Sequence, residues 1–149
     1  MKAENKTDRF MEEAIGQAKK SLAEGGIPIG SVLVRNNEII GKWHNQRIQK
    51  SNPILHGEMD CLQNAGRQKT YKDTVLYSTL MPCYMCAGTI IQFKIPHIIV
   101  GENKTYGGAY DFLISHGVKV DIVDSAECIE IMENFIRTRP ELWNEDISE

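Results

Sequence analysis

The sequence lacks the features of a secreted, membrane-bound or nucleic-acid-binding protein. Neither end carries an apolar run long enough for a signal peptide or a membrane span, and the first residues, Met1 to Lys6, are polar. We therefore expect a cytoplasmic protein without a membrane partner. No basic stripe is present either, because the net charge is −3 and carboxylates crowd the segment from Asp124 to Glu149. This favours a small-molecule partner over nucleic acid.

Internal repeats, low-complexity segments and linkers are also absent. With 149 residues, of which 42% are hydrophobic and 25% charged, the chain suits one compact domain with its own core and leaves no room for a second. We expect a single domain over residues 1–149.

Cysteine is scarce, with 4 residues, and a disulfide framework is not expected. The close spacing of Cys83 and Cys86, without a secretory signal, indicates thiolates in a reducing compartment. Cys61 and Cys128 lie in apolar stretches of helical periodicity, where a small buried hydrophobic residue is the simpler interpretation.

Hydrophobic periodicity predicts an α/β fold. A helix over Thr7 to Ala23 precedes an antiparallel hairpin, whose tight turn is assigned to Asn36-Asn37. The β-α-β order that follows implies a three-layer α/β/α sandwich with a mixed central sheet of about five strands. The predicted elements after the first helix are strands Pro28–Val34 and Ile39–Trp43, a polar stretch Gln46–Pro53, a helix from His56 to Gly66, strand Thr74–Thr79, helix Pro82–Phe93, strand His97–Gly101, helix Tyr106–His116, strand Val118–Val123, helix Ala126–Arg137 and a last helical turn from Pro140.

Two short motifs carry the chemistry. His56-Gly57-Glu58 and Pro82-Cys83-Tyr84-Met85-Cys86 together form the H-x-E and P-C-x-x-C pattern of zinc-dependent deaminases. A catalytic zinc site needs three nitrogen or sulfur ligands and an open fourth position, which His56, Cys83 and Cys86 can supply. We expect one zinc ion per chain, bound where two helices begin and their free N–H groups favour negative charge.

Glu58 is predicted to be the catalytic proton shuttle. Its hard carboxylate oxygen is a less preferred ligand beside two thiolates, so it is free to move protons between water, a ring nitrogen and a departing amine. A structural zinc knuckle or a redox pair are the alternatives. Neither His44 nor His97 has the spacing of a fourth ligand, which disfavours the knuckle.

These motifs resemble those of the cytidine deaminase superfamily, and in particular the fungal-type cytosine deaminases that act on the free base. The resemblance covers nearly the whole chain. It runs through Gly25–Gly30, His44-Asn45, Leu55–Glu58, Tyr71–Thr74, Pro82-Cys83, Val100–Asn103 and the C-terminal Arg139-Pro140, Trp143 and Glu145-Asp146-Ile147.

The resemblance implies a fold, a substrate and a set of contacts. It implies a homodimer in which a pyrimidine is bound by Asn45, the Gly57 backbone and Asp146, with zinc held by the three ligands above. It also implies that a C-terminal helix over about 139–149 forms a lid, in which Tyr106, Trp143 and Ile147 close over a flat ring with Ile29 beneath. The expected reaction converts cytosine, and also 5-fluorocytosine, to uracil or its analogue and ammonia, in pyrimidine salvage.

Three positions depart from the fungal pattern. Tyr106 stands where phenylalanine is expected, Gly107-Gly108 makes the next loop more flexible, and Met81 replaces a small polar residue. Because these residues would touch the pocket wall, a deaminase of guanine, isocytosine or a triazine stays open as an alternative. A tRNA adenosine deaminase and a non-catalytic, zinc-stabilised binding module are less favoured.

Overall fold

Six helices and five strands form the part of the chain that the structure describes. This computed structural model describes residues 4–149, with side chains from Arg9 onward, so residues 1–3 of the polar N-terminal run lie outside the described residues. No helix in the described part is long and apolar enough to cross a membrane. The elements are α1 Glu4–Ala23, β1 Gly30–Arg35, β2 Glu38–His44, α2 Gly57–Ala65, β3 Thr74–Ser78, α3 Tyr84–Gln92, β4 His97–Val100, α4 Tyr110–Ser115, β5 Lys119–Ile122, α5 Ala126–Thr138 and α6 Pro140–Ile147.

The strands form one mixed sheet in the order β2-β1-β3-β4-β5. Strand β1 pairs antiparallel with both β2 and β3, whereas β3, β4 and β5 are parallel. The hairpin turn has positive φ at both Asn36 (51°) and Asn37 (67°), as a two-residue turn of the predicted kind requires. The predicted hairpin and the mixed five-stranded sheet are therefore confirmed.

Alternating residues of the strands build two apolar cores, one on each face of the sheet. Leu33, Leu76 and Ile98 pack with helices α2, α3 and α4. The neighbouring Val32 and Tyr77 face the other way and pack with α1 and α5. Because side chains alternate across a strand, this division produces the predicted three-layer α/β/α sandwich.

Several predicted boundaries were wrong. Strand β1 begins at Gly30 rather than Pro28, and Pro82 precedes α3 rather than opening it. The helix predicted from Tyr106 begins only at Tyr110, because Gly108 has a φ of +57° and the Ala109 N–H donates to the Pro82 carbonyl. The single turn predicted from Pro140 is the eight-residue helix α6, which agrees with the C-terminal helix over about 139–149 that the resemblance implies.

Helices α2 and α3 both begin at the same end of the sheet, and this arrangement creates the site. Strand β3 ends at Ser78, and residues 79–83 carry the chain from it to α3. The crevice beyond the carboxyl ends of parallel strands is where α/β sheets commonly bind ligands.

Candidate active site

The predicted metal ligands stand at the first turns of two helices. His56 is the N-cap residue of α2, Cys83 is the N-cap residue of α3, and Cys86 lies one turn into α3. Neither N-cap side chain bonds its own helix backbone. Both side chains therefore remain available for a shared ligand, while the first N–H groups of each helix favour the negative charge of thiolates.

The spacing of the three donor atoms fits a tetrahedral metal ion. His56 Nδ1 lies 3.4 Å from Cys83 Sγ and 3.7 Å from Cys86 Sγ, and the two sulfurs are 3.7 Å apart. Zinc bonds of ordinary length at tetrahedral angles separate two sulfurs by about 3.8 Å and a sulfur from a nitrogen by about 3.5 Å. The three atoms thus match the geometry of one face of a zinc tetrahedron, and their residues are the one group of potential metal ligands among the described residues.

The ligands differ in protonation. The interaction with Cys86 and, after it, that with His56 lower the pKa of Cys83 to about 4, against the opposing effect of burial. Burial would lower the pKa of His56, but its contacts with Asp146 and Cys83 outweigh burial and raise it to about 10. The neighbouring Cys83 and burial raise the pKa of Cys86 well above its usual range. Without metal, the site is therefore a thiolate paired with an imidazolium.

Glu58 is a buried carboxyl group beside these ligands. Burial, with a smaller contribution from the Cys83 thiolate, raises the pKa of Glu58 to about 7. Its Oε2 lies 3.3 Å from Ser78 Oγ, and that hydroxyl also lies 2.8 Å from the Leu80 carbonyl, to which it donates. A carboxyl with a pKa near neutrality can both accept and release a proton at that pH, as a general acid and base must.

Asn45 presents a free donor. It is fully buried, and its Oδ1 accepts a hydrogen bond of 2.9 Å from the Arg47 backbone N–H. Its Nδ2 is buried without a partner. Because a buried unpaired donor is costly, this amide is suited to a ligand that offers an acceptor.

Asp146 reaches the metal site from α6. Its side chain is 3% exposed, and its Oδ1 lies 3.2 Å from His56 Nε2. That oxygen makes no aligned hydrogen bond, so it also retains capacity to accept one. A carboxylate against the outer nitrogen of a histidine ligand orients the ring. This contact was not foreseen from the sequence, which indicated Asp146 only as a substrate contact.

An apolar cavity joins the metal ligands to the remaining predicted residues. It is lined by Ile29, His56, Glu58, Leu80, Met81, Cys83, Tyr106, Trp143, Asp146 and Ile147. The cavity volume is about 10 Å³, the lower limit for one water molecule. The rings of Tyr106 and Trp143 meet edge to face at 5.5 Å between their centroids. The site is therefore closed, and α6 or the Tyr106 loop must move before a ring can enter.

Asn45 and Gly57 stand behind this cavity rather than along its wall. The Asn45 N–H donates to the Ile29 carbonyl, at 2.9 Å. A Cβ on Gly57 would lie 3.0 Å from that same carbonyl oxygen, so the close approach of α2 to Ile29 requires a residue without a larger side chain. All seven predicted substrate-contact residues thus lie at or directly behind one site.

Sequence reasoning missed the role of Glu102, which shapes the loop that carries Tyr106. Glu102 is fully buried, and its carboxylate accepts hydrogen bonds from the backbone N–H groups of Lys104 and Thr105 and from the Thr105 hydroxyl. It also missed Leu80 in the cavity wall. The position of Leu80, just beyond the end of a predicted strand, was the available signal.

A larger cleft, of about 490 Å³, lies elsewhere on the described surface. It is bordered by residues 67–72 and 92–94, beyond the C-terminal ends of α2 and α3. None of the potential metal ligands borders it. Size alone would favour this cleft, but the small cavity holds the metal-ligand geometry and is the candidate active site.

Comparison with known proteins identifies the same region. The sequence model of the cytidine and deoxycytidylate deaminase zinc-binding region matches residues 4–102. A cytosine deaminase of Candida albicans is 48% identical over 142 residues, which cover 93% of this chain and 95% of that protein. A tRNA-specific adenosine deaminase of Streptococcus pyogenes is 40% identical over 140 residues, with 86% of this chain and 88% of that protein covered.

Solved structures share the fold. One from work on A-to-I editing by tRNA:A34 deaminases superposes with a TM-score of 0.75 at 28% identity, and covers 83% of this chain and 99% of that chain. The guanine deaminase of Bacillus subtilis superposes with a TM-score of 0.61 at 22% identity, over 75% and 71% of the two chains. At that identity the second similarity concerns the fold alone.

Proposed function

The chain belongs to the cytidine and deoxycytidylate deaminase family, whose members share a zinc-binding region, and from this membership we propose that it hydrolyses cytosine to uracil and ammonia. The observation that carries this proposal is the tetrahedral face formed by His56, Cys83 and Cys86, with the buried Glu58 carboxyl beside it. The similarity to a cytosine deaminase over 93% of the chain supports cytosine as the ring.

The three ligands would hold one zinc ion with its fourth position open. When bound, zinc supplies Lewis acidity, which lowers the pKa of a water molecule at that position. Glu58 would take a proton from the attacking water and pass it to the ring nitrogen, and would then take the proton of the added hydroxyl and pass it to the departing amine. Water adds at the carbon that carries the amine, the C–N bond breaks, and ammonia leaves.

The polar groups around the ring would select it by their hydrogen-bonding roles. Asn45 Nδ2 is a free donor, which suits the ring carbonyl. The Asp146 carboxylate, which also lies against His56 Nε2, is an acceptor, which suits the exocyclic amine. The Gly57 backbone N–H is a further proposed contact. Ile29 would support the ring from below, and Tyr106, Trp143 and Ile147 would cover it and exclude water.

A free base fits this site better than a nucleotide in an RNA chain. Trp143 and Ile147 border the cavity on the α6 side, and a lid closed over the base would leave no space for a ribose. The segment that carries α6 is also acidic. These two features favour cytosine over the adenosine of tRNA, on which 40% identical relatives are named as acting.

The finer assignments follow from the same proposal. We propose a homodimer that acts in the cytoplasm, in pyrimidine salvage, as the family resemblance implies. Sedimentation at several protein concentrations tests the dimer. A mass that stays near the 16.9 kDa of one chain would contradict it.

The experiment that tests the function uses Glu58→Gln as its matched variant. The wild type, loaded with zinc, should form uracil and ammonia from cytosine in equal amounts. Glu58→Gln keeps the size of the side chain but cannot accept the proton, so it should bind one zinc per chain and lose at least about 10³-fold in turnover. Comparable turnover by the two proteins at equal zinc content would exclude the proposed role.

A further inference from the structure

Arg47 connects the loop before α2 to the C-terminal helix. Its Nε lies 3.1 Å from Glu145 Oε2 on α6, and its Nη1 donates to the Pro53 carbonyl at 3.2 Å. The same Nε lies 4.0 Å from Asp146 Oδ1. The Arg47 side chain is 18% exposed, so the guanidinium is held between the two segments rather than extended into solvent.

The backbone of Arg47 has a separate role, which is to orient the Asn45 amide. Its N–H donates to Asn45 Oδ1, and this bond leaves Asn45 Nδ2 as the free donor of the site. A substitution of the Arg47 side chain retains this N–H. Any effect of such a substitution therefore comes from the contacts of the guanidinium with Glu145, the Pro53 carbonyl and Asp146, and not from loss of the bond that orients the amide.

Helix α6 depends on few contacts to stay in place. It has eight residues, and its buried side chains are those of Trp143 and Asp146. A helix of this length is not stable by itself in water, so its position rests on tertiary contacts. Because the cavity beneath it holds about 10 Å³, a ring can enter only if α6 or the Tyr106 loop moves away and then returns.

We propose that the Arg47 side chain is a positioning residue, which holds α6 closed by bridging Glu145 and the Pro53 carbonyl. The identity of the ring that binds rests on the proposed function. The closure of α6 by Arg47 does not. An exposed ion pair alone contributes little. Here one guanidinium joins two acceptors on separate segments, and this geometry is specific to arginine.

The test follows closure through tryptophan fluorescence. The protein has two tryptophans, and Trp43→Phe leaves Trp143 on α6 as the single reporter. In this background, Arg47→Met removes the donors while retaining a long side chain, and Arg47→Lys retains the charge without the planar fork. Arg139→Met is the matched control, because Arg139 pairs with Glu141 in the first turn of α6, and its side chain makes no hydrogen bond or ion pair with the 45–55 loop among the described residues.

Acrylamide quenching of Trp143 and the kinetics with cytosine are then measured on zinc-loaded proteins. Arg47→Met should raise the quenching constant at least about twofold. Its KM should rise about tenfold with a smaller change in kcat, because a closed state that is less populated lowers the apparent affinity. Arg47→Lys should recover part of both effects, and Arg139→Met should match the parent.

Glu145→Gln provides the second variant, at an exposed position where folding is not at risk. It should loosen α6 in the same way, and its combination with Arg47→Met should add little further, since both changes remove one interaction. Quenching and KM values equal to the parent in both single variants would overturn the proposal. If the parent does not turn over cytosine, the proposed function fails, while the quenching series still tests the closure.

Discussion

The three metal ligands carry different numbers of protons before zinc binds. Cys83, with a pKa lowered to about 4, is a thiolate at neutral pH, whereas His56, with a pKa raised to about 10, carries an extra proton. The pKa of Cys86 is raised well above its ordinary value, so it remains a thiol. Zinc must displace the protons of His56 Nδ1 and Cys86 but none from Cys83.

This difference predicts the proton release on metal binding. Addition of zinc to the metal-free protein at pH 6 should release about two protons per chain, and near this pH the affinity should fall about 100-fold for each unit that the pH is lowered. Calorimetry in buffers of different ionisation enthalpy measures the number of protons released per zinc ion bound. The Glu58→Gln protein is the suitable sample, since Glu58, with its pKa raised to about 7, would otherwise contribute. Release of three protons, or of fewer than one, would contradict the assignment.

Sequence reasoning predicted three candidate ligands, which the structure brings together, but not their surroundings. The motifs identify His56, Cys83 and Cys86 because local spacing fixes their positions at two helix starts. The free Nδ2 of Asn45 follows from a bond to the Arg47 backbone, and the contact of Asp146 with His56 joins residues far apart in the chain. Such pairings depend on tertiary packing, which periodicity does not encode.

At the scale of elements, α6 is the part of the fold that completes the site. Trp143 packs with Ile27, Ile29, Leu80 and Phe135 in an apolar cluster at the end of the sheet. The neighbouring residues Asp146 and Ile147 line the cavity. The helix therefore supplies one wall of the active site as well as part of a core.

Removal of residues 141–149 tests this double role. The shortened protein should fold and bind one zinc per chain, because the ligands lie on α2 and α3. It should lose at least about 100-fold in kcat/KM for cytosine, since the ring would be neither covered nor positioned. Its melting temperature should also fall, because the cluster around Trp143 becomes exposed.

Zinc content, circular dichroism and steady-state kinetics on the same sample provide the measurement. The full-length Arg139→Met protein is the control, because it alters the first turn of α6 without removing the lid. A truncated protein with kcat/KM within about twofold of the full chain would contradict the role given to α6.

The strands and most helices could be predicted because their apolar periods agree with their place in the layers. The Tyr106 loop could not be predicted, because its apolar and aromatic residues have the spacing of a helix, whereas Gly108 takes a left-handed conformation that ends one. Its course is set by Glu102, whose carboxylate accepts three local hydrogen bonds, and by the Ala109 bond to Pro82. A buried carboxylate within a loop gives no periodic signal.

At the scale of the whole molecule, charge is distributed unevenly. The segment around α6 is acidic, and the net charge is −3. The cations Arg67, Lys69, Lys72 and Lys94 border the cleft at the C-terminal ends of α2 and α3. The first three lie within six consecutive residues, and the fold adds Lys94 to them. This basic cleft lies at the opposite ends of the helices from the candidate metal ligands. Because basic groups attract the phosphates of RNA, tRNA is an informative test substrate.

The most direct test of the account is ammonia release from the zinc-loaded wild type with cytosine, cytidine, guanine, adenine and tRNA, each supplied separately. The account predicts turnover of cytosine, with kcat/KM for each of the others lower by at least about 10³-fold, because a lid closed over the base leaves no space for a ribose and the free donor of Asn45 suits the pyrimidine carbonyl. Preferred deamination of tRNA or of guanine, or no turnover of cytosine, would contradict it.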